Sequence, residues 1–133
     1  MKHPQHKHLM IRGTIIDPPR DTESVIEWLR YFIDFLGMKV LQGPFSSYVN
    51  EDGNKGITAV AMIETSHIAF HIWDETSPAL LQFDVYTCGE LNIDNTLSEI
   101  EKYFNFIEYQ LLAWDRADKF ELLSQKHYKK EQS

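Results

Sequence analysis

Residues 64–75 read Glu64-Thr65-Ser66-His67-Ile68-Ala69-Phe70-His71-Ile72-Trp73-Asp74-Glu75. A strand sends successive side chains to opposite faces. Ser66, Ile68, Phe70 and Ile72 then form an ordinary core face, while His67, Ala69, His71 and Trp73 share the other. Two imidazoles and an indole on one face of so apolar a strand set this stretch apart. The preceding Ile57-Thr58-Ala59-Val60-Ala61-Met62-Ile63 is itself strand-like and runs into it with no Gly or Pro. A sharp bend or a chain break at 65–66 is therefore expected.

Working outward, the stretch following the turn Thr76-Ser77-Pro78 is a further strand, Leu80 to Cys88, with Asp84, Tyr86 and Cys88 on one face. Upstream, the polar run Asn50 to Gly56 predicts a hairpin turn joining residues 57–63 to a strand that begins at Lys39-Val40-Leu41-Gln42, is interrupted at Gly43-Pro44, and continues through Phe45 and Tyr48. Leu9 to Ile16 is β-branched and apolar, and Asp17-Pro18-Pro19 ends it. Asp21 or Thr22 caps a helix over about 22–36, whose Val25, Ile26, Leu29, Phe32, Ile33 and Leu36 recur at helical spacing before Gly37 closes it. Asn95-Thr96 caps a second helix carrying Leu97, Ile100, Tyr103 and Phe104. Phe106 to Trp114 alternates poorly and fits a strand or more helix. Residues 116–133, charged and anchored by Phe120, Leu122 and Leu123, read as a terminal helix that frays into a tail. Residues 1–7 read as a flexible lead-in.

The expected architecture is α+β: a two-layer α/β sandwich in which a mostly antiparallel sheet is covered on one face by two helices. The 133 residues form one domain with room for a core. A formal charge of -7 excludes the usual basic footprint of nucleic-acid binding. No apolar run is long enough for a membrane span, and no signal peptide is apparent. A single cysteine, Cys88, makes no internal disulfide and fits a reducing, cytoplasmic setting.

Three chemistries suit the central stretch. In the first, Ser66 attacks the carbonyl before it, and a base then eliminates the resulting ester to leave a pyruvoyl group. This needs a strained serine peptide, an oxyanion donor and a base, with Ser66, Thr58 and His71 as candidates. In the second, His67, His71 and Cys88 hold a metal, but histidines four apart on a strand lie roughly 13 Å apart, too far for one ion. No metal is expected there, and His3, His6 and His8 read as part of a frayed tail. In the third, the histidines are hydrogen-bonded structural groups and the cysteine a small core residue.

The motifs Ser66-His67-Ile68-Ala69-Phe70-His71-Ile72-Trp73-Asp74-Glu75 and Phe83-Asp84-Val85-Tyr86-Thr87-Cys88-Gly89, with the opening Lys7-His8-Leu9, resemble the bacterial and archaeal S-adenosylmethionine decarboxylases. That family's signatures run Glu-Ser-His, His-x-Trp-Pro-Glu and Asp-Val-Tyr/Phe-Thr-Cys-Gly. The resemblance implies self-cleavage between Thr65 and Ser66, with Ser66 becoming a pyruvoyl cofactor whose ketone forms a Schiff base with the substrate amine. It assigns processing assistance to Thr58, ester elimination to His71 and proton return to Cys88. It assigns S-adenosylmethionine contacts to Tyr48 or Phe45 on the adenine, to Glu75 on the ribose hydroxyls, and to His67. It further implies a homodimer with sites near the interface, and a product that donates aminopropyl groups for spermidine.

Four positions depart from the pattern. Thr65 stands for the family's glutamate, Thr58 for a serine, Asp74 for the proline of His-x-Trp-Pro-Glu, and Arg12 for an acid on the first strand. Two other readings follow from these departures: a decarboxylase of arginine or ornithine in the same fold, and an uncleaved, catalytically silent homologue that binds a nucleoside ligand or a partner.

Overall fold

A computed structural model describes residues 5–131. Its elements run β1 (Lys7–Ile16), α1 (Thr22–Phe35), β2 (Val40–Val49), β3 (Gly56–Ile63), β4 (Ser66–Trp73), β5 (Ala79–Thr87), α2 (Ile93–Tyr103), β6 (Asn105–Asp115) and β7 (Glu121–Lys129). The strands form one sheet in the order β2-β3-β4-β5-β1-β6-β7. Every neighbouring pair is antiparallel. The expected two-layer α+β sandwich is what forms, with β1 at the centre of the β5-β1-β6 run.

Alternation decides which face is covered. Leu9, Ile11 and Ile15 of β1, Ile68, Phe70 and Ile72 of β4, and Leu81, Phe83 and Val85 of β5 are all buried on one side. Trp28 of α1 stacks on Tyr103 of α2 at 4.2 Å between ring centroids and meets Phe70 and Phe83 edge-on at 6.1 and 6.0 Å. Both helices therefore pack on the same sheet face, joined by an aromatic cluster that favours these offset and T-shaped contacts.

The helix starts follow capping chemistry. Asp21 accepts from the Ser24 hydroxyl and the Glu23 amide, which keeps its carboxyl below the usual carboxylate range. Gly37 takes a positive φ of 73° just past α1, as expected. The second helix begins earlier than Asn95-Thr96: Asn92 is the cap, accepting from the Asn95 amide at 2.9 Å. Thr96 instead lies inside the helix and returns its hydroxyl to the Asn92 carbonyl. Asn92→Ala should cost about 1 kcal/mol, read as a lower urea midpoint with an unchanged slope.

The C-terminal segment differs from expectation. Residues 105–115 are strand, and 121–129 form a seventh strand, not a helix. Its ladder to β6 is closed by backbone groups, and one stacked pair, Tyr128 on Tyr109 at 5.1 Å, anchors it on the covered side. Its charges suit an edge strand, where they oppose pairing with another chain. Phe120, expected as an anchor, is 74% exposed in the preceding turn. At the other end, β1 starts at Lys7, within the expected lead-in. His6 is tied down through its amide to Asp115 and its carbonyl to Arg116. His3 lies outside the described residues.

Candidate active site

The bend expected at 65–66 is a tight hairpin. Glu64 and Thr65 form the turn between β3 and β4, with Ile63 opposite Ser66. Ser66 carries a φ of 145°, positive for a non-glycine residue. Such backbone costs ~1–3 kcal/mol and persists only when its surroundings hold it. Hydrogen bonds from three directions do so here. The Cys88 amide donates to the Thr65 carbonyl at 2.9 Å. The Thr87 hydroxyl donates to Thr65 Oγ1 at 2.8 Å and accepts from the Gly89 amide at 2.9 Å. The Glu64 amide donates to the Lys39 carbonyl at 2.9 Å. Thr65 thus takes part through its own hydroxyl, in a position where a glutamate would reach further out.

The carbonyl of Thr65 is therefore polarised by a backbone N–H just past the end of β5, and Ser66 supplies a hydroxyl on the adjoining residue. A backbone donor aimed at a carbonyl oxygen is the arrangement that stabilises an oxyanion. Cys88 is exposed just beyond β5, beside a recess of about 590 Å³ lined by Lys7, Gly89, Leu91 and Asn92. The Lys7 ammonium is fixed there by the Leu91 carbonyl at 2.8 Å.

A second group lies on the uncovered face. Thr58 and His71 are paired across β3 and β4, and Thr58 Oγ1 sits 3.1 Å from His71 Nδ1. No described residue hydrogen-bonds His71 Nε2. Phe45 pairs with Val60 on the same face and is 59% exposed. His67 is exposed at the near end of the face, 5.5 Å from the Tyr86 ring.

A third group sits at the far end of β4. The Trp73 indole donates to Asn54, Glu75 accepts from the Lys55 amide at 3.0 Å, and the Tyr48 hydroxyl donates to Asp74 at 3.0 Å. Tyr48 pairs with buried Ile57, on the covered side of the sheet. Desolvation, and then its bond to Asp74, push the Tyr48 phenol up from its ordinary value. Of the two aromatics expected at adenine, Phe45 is the one that shares a face with Thr58 and His71.

These groups do not converge within one copy. Five residues along a strand separate Ser66 from His71, roughly 16 Å, and seven separate Ser66 from Trp73 at the far end of β4, roughly 23 Å, with Glu75 in the loop just beyond. The uncovered face between them carries Met10, Phe45, Val60 and Met62, with Met62 51% exposed. It also holds a groove of about 520 Å³ lined by Arg12, Gln82, Asp84, Gln110 and His127. Among the described residues, no three His, Cys, Asp or Glu side chains are close enough to hold a metal ion, and no helix is long and apolar enough to cross a membrane.

One cluster on this face involves residues beyond those expected. His8 Nε2 lies 2.8 Å from Asp84, and Arg116 donates to His8 Nδ1 at 3.3 Å. Arginine cannot accept, so Nδ1 is the acceptor and Nε2 carries the proton given to Asp84. The Arg116 guanidinium also lies 4.4 Å from the Tyr86 ring centroid. Two backbone N–H groups, from Ala117 and His6, hold the neighbouring Asp115 carboxyl below its usual range. The sequence signals for this cluster are Lys7-His8-Leu9 and Asp84-Val85-Tyr86; nothing marks Arg116.

A sequence model of the family described as S-adenosylmethionine decarboxylase matches residues 7–117. The chain belongs to that family. It is similar to the S-adenosylmethionine decarboxylase proenzyme of Persephonella marina, 32% identical over 99 residues that cover 74% of this chain and 63% of the relative. It is also similar to the S-adenosylmethionine decarboxylase proenzyme of Methanococcus maripaludis, 44% identical over 50 residues that cover 37% of this chain and 39% of the relative. The matched stretches span less than two thirds of these relatives' own length. Strand β7 lies beyond the residues matched by the family.

Proposed function

We propose that this chain is a self-processing, pyruvoyl-dependent decarboxylase of S-adenosylmethionine, acting as a homodimer whose product supplies aminopropyl groups for spermidine. The observation that carries the reading is the Thr65–Ser66 peptide: a positive-φ serine in a tight turn, preceded by a carbonyl that accepts the Cys88 amide. Both relatives are named proenzymes, which fits a chain that must be cut to act. The single free thiol of Cys88 suits a reducing cytoplasm.

Ser66 Oγ attacks the Thr65 carbonyl carbon, and the Cys88 N–H holds the oxyanion. Collapse breaks the Thr65–Ser66 C–N bond and leaves Thr65 esterified to Ser66 Oγ, with a free amine on Ser66. Removal of the Ser66 α-proton by His71 expels the Thr65 carboxylate, and the resulting dehydroalanine tautomerises and loses ammonia to water. Thr58, bonded to His71, orients the imidazole. The pyruvoyl group so formed supplies the electron sink for loss of carbon dioxide. Phe45 offers a face to adenine, Glu75 accepts the ribose hydroxyls, His67 lines the near end, and Cys88 returns a proton to the decarboxylated carbon.

The spacing along β4 supports sharing these roles between two copies. His71 lies too far along its own strand to reach Ser66, so in this reading the imidazole, with Thr58, acts on the partner's turn. The exposed methionines, Val60 and Phe45 of the uncovered sheet face form an apolar surface on which a second copy can pack.

Intact mass tests the reading. The expected result is two fragments meeting at 65–66, the second beginning with a carbonyl that an amine reagent traps. A single chain stable on long incubation overturns self-processing and leaves the silent nucleoside-binding homologue. Cleavage with turnover of arginine or ornithine, and none of S-adenosylmethionine, overturns the substrate.

A further inference from the structure

The residue between Trp73 and Glu75 is held through both its backbone and its side chain. The Asp74 carboxylate is only 4% exposed. Both of its oxygens lie 3.0 Å from the Tyr48 hydroxyl, and Oδ2 lies 3.4 Å from Arg20 Nε. Its backbone N–H donates to the Lys55 carbonyl at 2.9 Å, while the Lys55 N–H donates to Glu75 Oε1 at 3.0 Å. Lys55 therefore grips residues 74 and 75 with its two backbone groups. The Trp73 indole, bonded to Asn54 at 2.8 Å, closes the same contact.

The family signature has proline where this chain has Asp74. A proline has a fixed φ and no N–H. The Asp74–Lys55 bond is one that a proline cannot make, and an aspartate lacks the ring that stiffens the chain. We propose that Asp74, held by Tyr48 and Arg20, is a positioning residue that sets the Glu75 carboxylate for the ribose hydroxyls, replacing the ring's stiffness with a side-chain anchor. The β2–β3 hairpin tip, through Asn54 and Lys55, is part of the same device. A buried carboxylate with a phenol and a guanidinium on it is costly to disturb, because loss of either partner leaves a charge without compensation. The anchor thus fixes the start of the β4–β5 loop independently of substrate. The inference rests on the reading of Glu75 as the ribose acceptor.

The test compares Asp74→Ala, Asp74→Asn and Glu75→Gln in the processed enzyme, with S-adenosylmethionine and with its analogue lacking both ribose hydroxyls. Asp74→Ala should raise KM for S-adenosylmethionine about tenfold with kcat within about twofold, and should leave the rate of chain cleavage unchanged. Asp74→Asn retains an oxygen for Tyr48 and most of the packing, and should stay within about threefold of the parent KM. With the deoxy analogue the parent and Asp74→Ala should have equal KM. An unchanged KM in Asp74→Ala, or a rise that persists with the deoxy analogue, overturns the positioning role while Glu75→Gln still shows a raised KM. An unchanged KM in Glu75→Gln removes the ribose reading itself. Should Asp74→Ala fail to fold, Asp74→Asn decides: a small rise seen only with the hydroxylated substrate supports the role, and a rise with both substrates overturns it.

Discussion

Ser66→Ala is expected to yield one uncut chain with no decarboxylation, and His71→Ala to yield a chain that stalls before the pyruvoyl group forms. The first removes the proposed acceptor of the Thr65 acyl group, and the second removes the proposed base for the α-proton. The informative result comes from expressing the two together. In the proposed homodimer, random pairing makes half of the dimers mixed, and each mixed dimer would assemble one complete site, with Ser66 from one copy and His71 from the other. Activity should therefore return to about a quarter of the parent level. No activity in the mixture would place Ser66 and His71 in one copy and overturn the two-copy site. The strand geometry favours complementation, because a β-strand advances about 3.3 Å per residue and cannot fold His71 back onto Ser66.

Gly56→Ala is expected to be the most destabilising single-methyl change. Gly56 opens β3 at a φ of 149°, and a Cβ there would fall 1.7 Å from the Ile72 carbonyl oxygen and 2.6 Å from its carbon. The obstacle is the backbone of the strand that carries the proposed site, so relief would require β3 and β4 to part. A loss of about 3 kcal/mol or more is expected, seen as a melting temperature lower by roughly 10 °C or more. Gly53 supplies the control. It has a φ of 86°, and a Cβ added there would meet nothing within 4 Å, so Gly53→Ala should cost only about 1 kcal/mol. Equal effects at the two positions would show that the close approach of Gly56 to Ile72 is not what matters.

Two of the departures from the family pattern have visible surroundings. Thr65 is bonded through its hydroxyl to Thr87, so its replacement of glutamate leaves the turn supported. Arg12, on the uncovered face, opens into the groove with Gln82 and Gln110 and has no hydrogen-bond or ion-pair partner among the described residues.

Much of the fold is legible in the sequence by itself. Alternation in residues 66–73 separates the core face from the face with His67 and His71, because a pleated strand permits no other arrangement. The spacing of Val25, Leu29, Phe32 and Ile33 marks α1, whose buried side these residues form. The polar run 50–56 marks a hairpin, and the missing punctuation before Ser66 marks a bend. Local chemistry determines these features, so local sequence displays them. Strand β7 is hidden because an edge strand is stabilised by backbone pairing to β6, which leaves its side chains charged and without a strict period. The start of α2 is ambiguous because Asn92, Asn95 and Thr96 are all good capping types, and only the backbone shows which one accepts. The separation of Ser66, His71 and Glu75 into three places, the covered position of Tyr48, and the joining of His8, Asp84 and Arg116 are decided by the tertiary structure. Strand order and register set distances between residues far apart in the chain, and no pattern within a single strand encodes its neighbour.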